Sequence, residues 1–79
     1  MLIRTQDKEN IIHVIRIRII PFREANYTHA IDGTFAESFE KGTRIIMLGK
    51  YPDKESAISE LDNIVEFFTK NPSGIYQMR

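Results

Sequence analysis

The run Ile11-Ile12-His13-Val14-Ile15-Arg16-Ile17-Arg18-Ile19-Ile20 constrains this chain more than any other part of it. Ile15, Ile17 and Ile19 alternate with Arg16 and Arg18, the period-2 pattern of a strand with one buried and one wet face. Residues 11–14 do not follow that alternation cleanly. A bulge or bend near His13 to Ile15 would let both parts face the core. Pro21 cannot donate to a ladder and is expected to close the strand.

The remaining elements follow from shorter signals. Residues 2–5 read as a short extended piece ended by a polar turn at residues 6–10. Residues 22–26 read as a connection. Tyr27 to Ile31 and Thr34 to Phe39 flank Asp32-Gly33, a favoured type I′ turn, although Gly33 could instead mark a bulge in one longer strand. Glu40-Lys41-Gly42 reads as a second turn, and residues 43–48 as a strand apolar enough to lie centrally in a sheet. Asp53 suits a helix N-cap, with Glu55 at the positive end of the dipole. Ala57, Ile58, Leu61, Ile64, Val65 and Phe68 then form one apolar stripe, with Ser59, Glu60, Asp62, Asn63, Glu66 and Lys70 on the wet side. Asn71 is expected as a left-handed C-cap before Pro72, and residues 75–78 as a last short strand.

Several strands, one helix and a terminal strand make an α+β domain spanning residues 1–79. The expected architecture is an antiparallel sheet or partial barrel of about five to six short strands, packed by one C-terminal helix. One helix covers only one face of such a sheet. Either the sheet curls around its own side chains or its second face meets another protein.

Composition acts mainly by exclusion. With 79 residues and no cysteine, a disulfide scaffold and a cysteine zinc site are impossible. The longest apolar run, Ile45-Ile46-Met47-Leu48, falls far short of the roughly 20 residues of a membrane span. The N-terminus is charged by Arg4 and lacks a long apolar stretch, so no signal peptide is expected and the cytoplasm is the default location. His13 and His29 have no zinc spacing, and with Ser38, Ser56, Ser59 and Ser73 they form no nucleophile motif. The glycines are too dispersed for a phosphate cradle. Asp53 and Glu55 belong to a helix cap, and Glu60, Asp62 and Glu66 read as a solvated face. No catalytic residue, cofactor or metal is expected.

The 11 basic and 11 acidic residues cancel, but unevenly along the chain. Residues 1–23 carry +3, residues 24–50 −1 and residues 51–79 −2. Arg4, Arg16, Arg18 and Arg23, with Phe22 and Tyr27 nearby, are therefore candidate nucleic-acid contacts. The same arginines also serve to blunt an exposed sheet against aggregation.

Leu2-Ile3-Arg4-Thr5-Gln6-Asp7, and later Leu48-Gly49-Lys50-Tyr51 before Ala57-Ile58 and Leu61-Asp62-Asn63-Ile64, resemble a set of short uncharacterised proteins from phage and prophage regions of Gram-positive bacteria. The resemblance covers residues 1–20 and 45–78 and carries no catalytic motif. It implies a small intracellular β-rich protein with a helix. The combined expectation is a non-enzymatic interaction module that binds a protein partner or itself, with nucleic-acid binding as the alternative.

Overall fold

The computed structural model describes residues 1–38 and 42–79, without side chains for residues 36–38. Six strands and one helix follow in the order β1 (Leu2–Arg4), β2 (Ile11–His13), β3 (Arg16–Glu24), β4 (Tyr27–Ser38), β5 (Gly42–Tyr51), α1 (Lys54–Lys70) and β6 (Ile75–Gln77). The expected α+β class holds. The strands divide between two open three-stranded sheets, a short sheet ordered β2-β1-β6 and a meander ordered β3-β4-β5. β1 runs antiparallel to β2 and parallel to β6, whereas the meander is antiparallel throughout.

The isoleucine-rich run changes sheets at its irregular point. β2 ends at His13, β3 begins at Arg16, and Val14 between them is fully buried. Ile12 and Val14 point inward on one parity, Ile17 and Ile19 on the other, and all four reach one core with Ile3, Ile31, Leu48, Ile64, Tyr76 and Met78. The bend at residues 13–15 thus reverses the alternation without exposing either half.

Four sequence expectations need correction here. Pro21 does not close its strand, because β3 lies at an edge and continues to Glu24. The even-numbered residues of β4 turn their main-chain groups toward β3, as the Ile15 N–H bond to Thr34 O shows. Pro21, opposite His29, therefore points its nitrogen to the open edge, where a missing donor costs nothing. As a result, residues 22–24 are strand, not connection. Of the two readings of Asp32-Gly33, the turn fails and the single longer strand holds: β4 passes straight through it, with the bulge opposite, at Leu48 of β5. Finally, β5 is an edge strand and β4 the central one. The expected turn at residues 40–42 lies outside the described residues except for Gly42, whose φ is +74°.

Gly33 is required by packing. A Cβ there would sit 2.7 Å from Val14 Cγ1 and 3.0 Å from Leu48 Cδ1, both buried side chains. The crossover residue Val14 rests in the space that the missing side chain leaves. Gly33→Val is expected to cost about 1–3 kcal/mol through overpacking, measured as a lower urea midpoint at unchanged slope.

The helix starts as the sequence indicates. Asp53 Oδ1 accepts the Ser56 N–H at 2.7 Å, which holds the Asp53 carboxyl below its ordinary pKa. The buried stripe is Ala57, Glu60 and Ile64, with Phe67 and Phe68 against the core. Ile58 and Val65, expected inside, are 42% and 62% exposed, because each lies one residue, about 100° of rotation, off that stripe. Glu60, expected on the wet side, is buried. It accepts bonds from Tyr76 Oη at 2.9 Å, Arg79 N at 2.5 Å and Asn63 Nδ2 at 3.1 Å. Asn71 is the C-cap, but with φ −135° it is not left-handed. Its backbone N–H and its Nδ2 both donate to Phe67 O instead.

Burial, reinforced by the bond to Glu60, pushes the Tyr76 phenol up to about 12, and burial raises Tyr51 as well. Since the folded values lie above the usual 10, this contribution to stability is intact below pH 10 and lost as pH climbs toward 12. Alkaline unfolding by far-ultraviolet dichroism should therefore track the late phenolate absorbance, and Tyr76→Phe should flatten that dependence.

Candidate interaction surface

Three-residue strands leave little choice about which side chains face out. In the short sheet Ile12, Ile3 and Tyr76 are cross-strand neighbours pointing into the core. Their flanking residues must therefore point away. His13, Leu2 and Ile75 form one outward row, and Ile11, Arg4 and Gln77 the next. Leu2, Ile11 and Ile75 are 38%, 56% and 51% exposed, an apolar group spread over all three strands. Arg4 lies among them, its Nε donating to Lys8 O at 3.0 Å.

The outer face of the meander has a different character. Arg18 Nε bonds both carboxylate oxygens of Asp32, at 3.0 and 3.1 Å, across the β3–β4 pair. Asp32 is buried on this face, and its hydrogen bond raises the Arg18 pKa further. Lys50 Nζ is held by Glu24 at 2.9 Å and lies 5.4 Å from the centre of the Phe22 ring. Arg16 is exposed on the same side.

The four candidate arginines thus occupy three places. Arg16 and Arg18 share the meander's outer face, Arg4 is on the short sheet, and Arg23 lines an open groove of about 800 Å³ at the β3–β4 turn. Glu24, Tyr27 and His29 line that groove too. His29 Nδ1 is 2.8 Å from Thr28 Oγ1, and that hydroxyl donates to Pro52 O. Because its one proton is spent there, His29 must carry the proton on Nδ1 to complete the bond. His13 is exposed beside Leu2, far along the chain from this turn. Among the described residues no cluster of three His, Asp or Glu is placed to hold a metal ion, and no helix is long and apolar enough to cross a membrane.

Sequence reasoning missed Asp32, hidden by the turn expected at that position, and Glu60. The phase of Ala57, Ile64 and Phe67 places residue 60 inside the contact, and that phase was the available signal. It also missed Gln6, which binds the edge of β5. The Gln6 N–H donates to Leu48 O, Oε1 accepts the Lys50 N–H, and Nε2 donates to Lys50 O, at 2.9, 2.9 and 3.3 Å.

Compared with protein-family models, curated proteins and solved structures, the chain matches none of them. Arg18→Ala is expected to lower the melting temperature by leaving the Asp32 carboxylate unpaired, whereas Arg16→Ala leaves it unchanged. Differential scanning fluorimetry on the two variants checks this.

Proposed function

We propose that this chain is a small non-enzymatic interaction module of the phage or mobile-element type, acting in the cytoplasm by docking a protein partner on the outer face of the short sheet. The observation that carries the reading is the exposed group of Leu2, directly opposite Ile75, and Ile11, in the next row opposite Arg4, on a sheet whose other face is committed to the core. Exposed apolar side chains grouped among polar ones in this way are a favoured place for a protein contact.

The dispersal of Arg4, Arg16, Arg18 and Arg23, with Arg18 committed to Asp32, favours a protein partner over nucleic acid. The mobile-element part of the reading rests on the resemblance in residues 1–20 and 45–78. A phage replication or packaging cluster among neighbouring genes would support it.

The test compares the wild-type chain with a Leu2→Asp, Ile75→Lys variant in capture from host extract. A protein retained by the first and lost by the second, at unchanged thermal stability, is the expected result. Equal retention by both chains removes the face from consideration. Anisotropy titration with labelled oligonucleotide should stay flat at low salt, and steep salt-dependent binding would favour the nucleic-acid alternative.

A further inference from the structure

The edges of the meander are protected unequally. β3 is blunted by Pro21, which lacks a donor, and by Arg16 and Arg18, which would face each other across an antiparallel self-pairing centred on Ile17. On β5 Gln6 occupies the edge at Leu48 and Lys50 as a single-residue strand would. From Gly42 to Met47 no other described strand pairs with that edge.

The direction of its main-chain groups follows from the register. Thr34 turns its own groups toward β3, so Ile45 opposite it turns its groups away, and Thr43 and Met47 follow by alternation. Their side chains share the meander's outer face, with Ile45 59% exposed and Met47 exposed beside it.

We infer that this edge pairs with a second copy of the chain, antiparallel about a twofold axis at Ile45, joining two meanders into one continuous sheet. The arrangement goes beyond the interaction reading by naming a different surface and its occupant. Ile45 exchanges both main-chain bonds with its own copy, and Thr43 exchanges both with Met47 of the other chain. Ile45 then covers Ile45, flanked by Thr43 against Met47 on each side. Arg44 falls opposite Ile46, so no basic residue faces itself. The pairing ends at Met47, where Gln6 takes over the edge. An interface of this length is small, so the dimer is weak and depends on concentration.

Ile45 also gives the test. The chain has no cysteine, so Ile45→Cys introduces a single thiol. A hydrogen-bonded antiparallel pair holds its Cα atoms at about 5.5 Å, within disulfide reach. Mild oxidation should cross-link Ile45→Cys rapidly and a Val65→Cys control slowly. In sedimentation equilibrium the wild-type mass should rise toward twice 9.2 kDa with concentration. Ile45→Lys should remain at one chain mass with native dichroism. Ile45→Pro, which removes only an outward N–H, should do the same, and if it fails to fold the lysine and cysteine variants carry the test. A wild type that stays monomeric at every concentration, or an Ile45→Lys chain that dimerises equally, overturns the inference. Either result leaves docking on the short sheet to be judged by the Leu2 and Ile75 variant.

Discussion

Val14 seated against Gly33 is the contact on which the rest of the architecture depends. The chain leaves the short sheet at His13 and enters the meander at Arg16, and Val14 is the residue that crosses between them. With no side chain at Gly33, the crossover lies close enough for Val14 and Leu48 to fill one buried volume. Were the two sheets held further apart, Ile3 and Ile12 on one side and Ile31 and Leu48 on the other would form two half-cores. Neither would be large enough to hold a chain of 79 residues.

A second fastening works at the opposite end. The Glu60 carboxylate gathers Tyr76, Asn63 and the Arg79 amide, and Tyr51 Oη donates to Arg79 O. Placing an acid in an apolar contact is costly unless its oxygens are satisfied, and here three donors converge on two oxygens. The helix is thereby fixed to β6 by directed bonds, while Phe67 and Phe68 supply undirected apolar contact around Tyr76. Gln6 performs a related task between the sheets, bonding Lys50 in both directions and Arg79 O besides.

What could be read from the sequence was local. The helix, its Asp53 cap, the terminal strand and the bend near His13 all follow from neighbouring residues, and each stands where expected. Tertiary neighbours decided the remainder. Asp32-Gly33 has turn chemistry, yet Arg18 across the strand pair and Val14 above it make the extended form the better one. Pro21 looked like a terminator only so long as β3 was not known to be an edge. The helix stripe was drawn one residue too wide, since Ile58 and Val65 are as apolar as Ala57 and Ile64 and only packing separates them. Of the candidate arginines, the sequence indicated the basic character, but sheet assignment scattered the side chains.

The parallel pairing of β1 with β6 has a consequence for how the protein is made. Residues 2–4 pair early with residues 11–13, but their second ladder partner lies at residues 75–77, so the short sheet cannot close until residue 77 has left the ribosome. The meander, with its nearer partners, can assemble while synthesis continues. For that interval Ile3 and the inner side of the meander stay wet, and the nascent chain is at its most adhesive just before residues 75–77 emerge.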